Sequence, residues 1–525
     1  MTVHPGQKGG SPFRQELSPI SFLERAGEVH AARIAVTDGL RSFTWADFRT
    51  RARRLASCLR RDGLSSGDRV AFLALNSEPL LLGHFAIPMA GGVIVAINTR
   101  LDAAEVAYVV SHSGSRTIFI SPELRAAADR LPSNVRRIGL DQEFDTYLAS
   151  GSDAPIESWL ESEDDLIAID YTSGTTGHPK GVMYDHRGAY LNALGMVVEN
   201  LLDSTSNVLW TLPMFHCNGW SQTWSMAAAG SRSVCIPRID PPQVWSLLES
   251  EAISHFNAAP TVLIMLANSP AAHRLQRRVR VCTGGAPPSP TLIAQMDELN
   301  IELIHLYGLT ETYGPLTINI PPAGLEALPV AQQAEYRARQ GFAHILGGAV
   351  AVVDDAMQRL PADGASLGEV VVRGNTLMRG YFRAQELTEE AFRGGWFHTG
   401  DVGVVHPDGS LELRDRKKDI IISGGENIST IEVEQAVMTH PAVLEAAVIA
   451  TPDETWGEVP KAFVTLKPNR TTTEAEIIAH VRERIAHFKA PKMVEFGELP
   501  KTSTGKIQKY ALREREWAGR QRRIN

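Results

Sequence analysis

Tyr171-Thr172-Ser173-Gly174-Thr175-Thr176-Gly177-His178-Pro179-Lys180-Gly181 decides how the rest of this 525-residue chain reads. Its glycines tolerate positive φ and let backbone N–H groups converge on one point. The hydroxyls of Thr172, Ser173, Thr175 and Thr176 add hydrogen bonds, and Lys180 adds a mobile positive charge. That is equipment for gripping a polyphosphate. The apolar run Leu166-Ile167-Ala168-Ile169, bounded by Asp165 and Asp170, reads as a strand feeding the loop. The spacing is not that of a Walker A loop, which needs Gly, four residues, then Gly-Lys-Ser/Thr. A polar turn is the bland alternative, and the length of the pattern argues against it.

Outward from the loop, strands and helices alternate. Thr44-Trp45-Ala46-Asp47 opens a helix whose apolar residues Phe48, Ala52, Leu55, Ala56 and Leu59 share one face. Strands are expected at Arg69–Leu75, Val93–Ile97, Thr117–Ile120, Val208–Leu212, Ser233–Ile236, Val279–Cys282 and Glu302–Ile304, with helices between them, one of them from about Asn218 to Ala228. This βα texture predicts α/β architecture with mainly parallel, helix-covered sheets. From Gly347 to Val405 the runs are short and β-rich, as in a small antiparallel, barrel-like part. After the charged run Arg414-Asp415-Arg416-Lys417-Lys418-Asp419 comes a compact α+β segment. We therefore expect a large domain over residues 1–417 and a smaller one over 418–525.

Composition narrows the function. The chain carries 60 acidic against 52 basic residues, a net charge of −8, which argues against a nucleic-acid binder. Cys58, Cys217, Cys235 and Cys282 lie far apart, so neither a zinc site nor a disulfide framework is expected, and a reducing cytoplasm fits. The uncharged run Pro79–Thr99 is long enough to raise a membrane span, but its glycines, His84, Pro88 and Asn98 predict a buried helix, a turn and a strand. The last five residues are not a peroxisomal address.

Further motifs carry chemistry. Tyr307-Gly308-Leu309-Thr310-Glu311-Thr312 follows a strand; its ring suits a base, its Thr310 hydroxyl a phosphate, its Glu311 carboxylate Mg2+. Asp401, in Thr399-Gly400-Asp401, could accept both hydroxyls of a ribose, and Arg416 could hold ribose or phosphate with its planar fork. Pro500-Lys501-Thr502-Ser503-Thr504-Gly505-Lys506 is a Pro-bounded turn that would hold Lys506 at a fixed point. Gly424-Gly425 permits close backbone approach by a narrow ligand. Gly364-Ala365-Ser366-Leu367-Gly368 matches a nucleophile elbow in letters only, because a strand follows Ser366 where an elbow needs a helix.

The opening loop, with these motifs in the same order, resembles the adenylate-forming superfamily of acyl-CoA synthetases, coumarate-type ligases, peptide-synthetase adenylation domains and firefly luciferase. The resemblance runs from about Phe43 to Lys509. It implies that Thr172, Ser173, Gly174, Thr175, Thr176, Gly177 and Lys180 bind ATP phosphates. It makes Gly284-Gly285-Ala286-Pro287 and Tyr307-Gly308 the walls around adenine, and Thr310 and Glu311 the contacts to the α-phosphate and Mg2+. Lys506 becomes the catalytic lysine, Lys418 the hinge, and Gly424, Gly425 and Glu426 the coenzyme A tunnel.

Leu212-Pro213-Met214-Phe215-His216-Cys217-Asn218-Gly219-Trp220 resembles the family's gate beside the acyl carboxylate. His216, Asn218, Trp220, Gly284, Gly308 and Thr312 would then line the acyl pocket. The wording, with Arg337-Ala338-Arg339-Gln340-Gly341, is similar to medium-chain, methylthiopropionate and benzoate-type ligases. The resemblance implies an ATP-, Mg2+- and coenzyme A-dependent carboxylic acid:CoA ligase for a medium-chain, aryl or cyclic acid. The alternatives are loading of a carrier protein, an adenylating enzyme that does not use CoA, such as a luciferase-like one, and a non-enzymatic regulator of the same fold. The partners are small molecules, with no membrane span, and a homodimer is compatible with this reading.

Overall fold

The structure is a computed structural model that describes residues 14–157, 160–172, 179–416, 419–424, 426–453, 455–502 and 507–517. The sheet carrying the opening loop has seven strands, in the order Gly380–Tyr381, Lys180–Asp185, Leu166–Thr172, Val93–Ala96, Arg69–Leu73, Thr117–Ile120 and Arg136–Gly139. Its centre is parallel. All four residues of Val93–Ala96 are buried, as expected of a strand covered on both faces. The uncharged run folds as the helix Glu78–Ala90, ended by Gly91 in the left-handed conformation, and then this strand. Its 13 residues span about 20 Å at 1.5 Å each. Among the described residues no helix is long and apolar enough to cross a membrane. Thr44 caps the helix Trp45–Arg61 reciprocally with Asp47.

Leu166–Thr172 and Lys180–Asp185 pair antiparallel, with Thr172 opposite Lys180. The phosphate-type loop therefore joins two strands of one hairpin, whereas a Walker A loop joins a strand to a helix.

A second sheet of nine strands is parallel through Asn207–Trp210, His255–Ala258, Val279–Thr283 and Ile301–Leu309. Residues 284–287 and the end of Ile301–Leu309 lie at the carboxyl ends of neighbouring strands, the edge where open α/β sheets bind ligands. Ala349–Val353, Gly368–Arg373, Phe397–Val405 and Leu411–Arg416 form a four-stranded antiparallel sheet. Beyond it, Ile421–Ser423, Glu426–Ile428, Val443–Asp453, Gly457–Leu466 and Met493–Phe496 make a separate sheet with its own core around Val433, Val448 and Val464. Ser366 sits in a turn, its hydroxyl and N–H bonded to Asp363, before the strand Gly368–Arg373.

Two local expectations need correction. Tyr307 and Gly308 lie inside the strand Ile301–Leu309, at a bulge facing Gly314–Ile318. The helix expected from Asn218 starts at Gln222. Before it, Cys217, Asn218, Gly219, Trp220 and Ser221 all take left-handed φ, from 48° to 62°. Such a run costs roughly 1–2 kcal/mol per non-glycine residue, so surrounding contacts must over-determine it.

Candidate active site

The hairpin brings three groups into line. Lys180 Nζ lies 5.1 Å from the centroid of the Tyr381 ring, within cation–π range. The Tyr381 hydroxyl donates to Glu311 Oε1 at 2.8 Å. Burial, reinforced by the Glu311 charge, raises the Tyr381 pKa, so the phenol stays a donor. Tyr381 arrives on a two-residue strand beside Val182. Sequence reasoning missed it, because Gly380-Tyr381 carries no motif and gains its place only through sheet pairing. Tyr381→Phe should slow acid-dependent ATP–pyrophosphate exchange about tenfold, the scale of one hydrogen bond to a charged group. Exchange assayed at saturating ATP and magnesium checks this, and an unchanged rate would remove the assigned role.

Thr310 sits next to Glu311 in a 3-10 turn. Tyr184 donates to the Thr310 carbonyl at 2.6 Å, and Cys217 Sγ lies 3.6 Å from Thr310 Oγ1. His216 Nδ1 is 3.9 Å from the same sulfur. His216, far from Thr310 and Glu311 in sequence, is thus brought close to them through Cys217. Burial pushes the Cys217 thiol well up, so it stays protonated.

The second end of the site is built on Asp401. The Tyr307 hydroxyl donates to Asp401 Oδ2 at 2.7 Å, and Arg416 Nε lies 3.6 Å from Asp401 Oδ1. Asp401 and Arg416 are cross-strand partners, which explains why residues fifteen apart meet. Tyr307 is buried, its hydroxyl committed to the carboxylate.

Gly284 and Gly308, expected to line the acyl pocket, allow close approach of neighbouring segments. A Cβ at Gly308 would fall 1.8 Å from the Gly314 carbonyl oxygen. One at Gly284 would meet the Leu306 carbonyl oxygen at 3.0 Å and the Trp220 ring at 3.2 Å. On the side where a Cβ would stand, both glycines are in close contact with other protein atoms. Trp220 is buried with Leu212, Cys282, Ile304 and Leu306. Thr312 is spent on its own turn, accepting from Leu309 N–H and donating to the Gly314 carbonyl. Asn218 is buried and its amide donates to Asp170 at 2.6 Å, so that side chain is committed inward rather than toward an acid. Gly285, with φ +83°, and Ala286 are exposed beyond the strand end, and Pro287 is half-buried.

In the C-terminal part, Gly424 caps the hairpin of Ile421–Ser423 and Glu426–Ile428, with φ +59° and its N–H bonded to the Trp456 carbonyl. A Cβ there would fall 2.6 Å from the Trp456 ring, and Glu426 is exposed. Ser173, Gly174, Thr175, Thr176, Gly177, Lys418, Gly425 and Lys506 lie outside the described residues. The flanks of Lys506 are described. Lys501 and Ile507 form an antiparallel bridge, and Gln508 N–H bonds the Pro500 carbonyl. Arg100, just past the strand that pairs with Leu166–Thr172, donates to the Thr502 carbonyl at 3.1 Å.

Mg2+ takes one or two carboxylates together with waters and phosphate oxygens. Glu311 offers such a carboxylate, with one oxygen already held by Tyr381, and this fits attachment through a single side chain. Among the described residues no group of three His, Cys, Asp or Glu side chains is placed to cage a metal.

Comparison with known proteins agrees with this architecture. Residues 23–382 match the AMP-binding enzyme family and residues 432–506 the AMP-binding enzyme C-terminal domain. The chain belongs to the AMP-binding enzyme family. It is 41% identical to a peroxisomal acetate/butyrate–CoA ligase of Arabidopsis thaliana, over 95% of this chain and 94% of that one. It is also 41% identical to 4-hydroxybutyrate–CoA ligase 2 of Metallosphaera sedula, over 97% of both. The crystal structure of an anthranilate CoA ligase in complex with anthranoyl-AMP superposes with a TM-score of 0.86 at 25% identity, covering 96% of this chain and 98% of that one.

Proposed function

We propose that this chain joins a small carboxylic acid to coenzyme A at the expense of ATP, in two steps at one site. In the first step a carboxylate oxygen attacks the α-phosphorus, the bond to pyrophosphate breaks, and acyl-AMP forms. In the second the CoA sulfur attacks the acyl carbon, the bond to AMP breaks, and the thiol gives up its proton. The chain is an ATP-dependent, AMP-forming acid–thiol ligase, with ATP and CoA as co-substrates.

The observation that carries the reading is the chain of contacts Lys180–Tyr381–Glu311, with His216 linked to Thr310 through Cys217 and the Asp401–Arg416 pair bonded to Tyr307 on the strand that leads to Thr310. Lys180 and residues 172–177 would hold the phosphates, Asp401 the ribose, Gly284–Pro287 and Tyr307 the adenine, and His216 the acid's carboxylate. Mg2+, held through Glu311, would offset charge on the phosphates when bound. Lys506 would complete the centre for the first step. Rotation about Lys418, between domains at 1–417 and 418–525, would bring Gly424, Gly425 and Glu426 in for the second. Such alternation lets one site serve two reactions.

A short acid, or a compact ring, is the substrate we favour. Trp220, four residues after His216, is buried in an apolar cluster with Leu212, Cys282, Ile304 and Leu306, which supports a pocket of limited depth. The acetate, butyrate, 4-hydroxybutyrate and anthranilate in the names of similar enzymes support it. We place the enzyme in the cytoplasm, supported by four buried, unpaired cysteines, and as a homodimer open to test by light scattering. AMP release from ATP, measured over acids of increasing length with and without CoA, tests the function. AMP should appear with CoA for a narrow set of acids. Release that CoA does not stimulate would favour a carrier-protein acceptor or an enzyme that stops at acyl-AMP.

A further inference from the structure

The left-handed run Cys217–Ser221 sits where the acid gate must be, and something has to hold it there. Its second residue, Asn218, supplies the means. Asn218 is 1% exposed and its amide donates at 2.6 Å to Asp170, which is 2% exposed. Asp170 stands in the strand Leu166–Thr172, immediately ahead of the phosphate-type loop. Two further bonds tie the run: Thr223 donates to the Asn218 carbonyl and Asn192 to Ser221 Oγ. Gly219 presses on Trp210, where a Cβ would fall 2.4 Å from the ring. The two chain segments that meet the two substrates are therefore joined by one buried hydrogen bond.

We propose that Asp170 and Asn218 are a positioning pair that locks the left-handed turn to the phosphate strand, and so sets His216 against Thr310 for the acid's carboxylate. The inference rests on the reading of His216 as the acid gate. Asp170 works here as a neutral group. Burial pushes its carboxyl up to about 8, outweighing the hydrogen bonds from Asn218. Among the described residues, its second oxygen has no hydrogen-bond partner, which a buried carboxylate would tolerate poorly. Cys217 and Tyr184 beside it are also held protonated by burial, and His84, against Asn218, is lowered to about 4 and stays uncharged. No cation faces Asp170 in that set. A carboxamide should therefore replace the carboxyl without loss, because only the hydrogen bond matters.

The test measures acid-dependent ATP–pyrophosphate exchange for Asn218→Ala, Asp170→Leu and Asp170→Asn, with far-ultraviolet circular dichroism and thermal melts on each. Misplacing a reacting group by about an ångström costs on the order of a hundredfold. Asn218→Ala and Asp170→Leu should each lose about that much in kcat/KM for the acid, with the ATP KM within about threefold of the parent. Asp170→Asn should stay within about threefold of the parent in both. Asn218→Gly, which adopts left-handed φ freely, serves if Asn218→Ala does not fold, and should fall between Asn218→Ala and the parent. If Asp170→Asn is as impaired as Asp170→Leu, the carboxyl's charge matters and the proposal fails. Unchanged kinetics in folded Asn218→Gly and Asp170→Leu overturn the bracing role alone. A loss confined to the ATP KM overturns the acid-gate reading and the inference with it.

Discussion

Lys506→Ala is expected to abolish acid-dependent ATP–pyrophosphate exchange while leaving thioester formation from synthetic acyl-AMP and CoA near the parent rate. A carboxylate attacking a phosphate brings negative charge onto negative charge. A lysine placed where that charge gathers is worth about 3–4 kcal/mol, a few hundredfold to a thousandfold. The flanking geometry suits the task. Lys501 and Ile507, on either side of Lys506 in sequence, form a bridge, and the Thr502 carbonyl accepts from Arg100, just past the strand that pairs with Leu166–Thr172. In the second half-reaction bonds are made and broken at the acyl carbon rather than at phosphorus, and AMP leaves with the electron pair, so a lysine placed for attack on the α-phosphorus has less to do there. Measuring both half-reactions on one preparation decides the matter. Equal loss in the two would mean that Lys506 supports the fold or the closed arrangement rather than the first reaction.

The second large effect is expected at Asp401. Replacing it with alanine removes the acceptor for Tyr307 and the counter-charge of Arg416, besides the hydrogen bonds assigned to the ribose. Hydrogen bonds to a charged group are worth about 1.5–3 kcal/mol each. The ATP KM should therefore rise about a hundredfold, with the acid KM changed much less. Asp401→Asn, which can still accept from Tyr307, should sit between the parent and Asp401→Ala. Initial-rate kinetics with each substrate varied in turn would show it. A normal ATP KM in a folded Asp401→Ala protein would leave the carboxylate a structural partner of Tyr307 and no more. A fall in melting temperature is expected alongside, since the Tyr307 hydroxyl would be left buried without its acceptor.

Much of the site was legible in sequence because its parts are local. The loop between Thr172 and Lys180 announces itself through glycine, hydroxyl and lysine in one short stretch. The helix cap at Thr44 and the buried run after Glu78 read correctly for the same reason: capping and burial patterns are short-range. The failures share a cause as well. Tyr381 has no motif and becomes a partner of Lys180 and Glu311 only when two residues pair at a sheet edge. Gly284 and Gly308 read as pocket lining, and only the fold shows that carbonyls and an indole stand where their side chains would be. Asn218 reads as pocket lining and is instead turned inward to Asp170, in a left-handed run no propensity scale would assign to four non-glycine residues.

By itself, the sequence determined that this chain alternates strands and helices, that a glycine- and hydroxyl-rich stretch with a lysine lies near residue 175, and that a second lysine motif lies near residue 506. Those are properties of neighbouring residues, written in backbone freedom, hydroxyl supply and apolar period. Only the tertiary structure decided which of those residues hold one another. That choice depends on which carbonyl, ring or carboxylate the fold brings to the same buried point from far along the chain. Asp170 with Asn218, and Tyr307 with Asp401, are pairs of that kind.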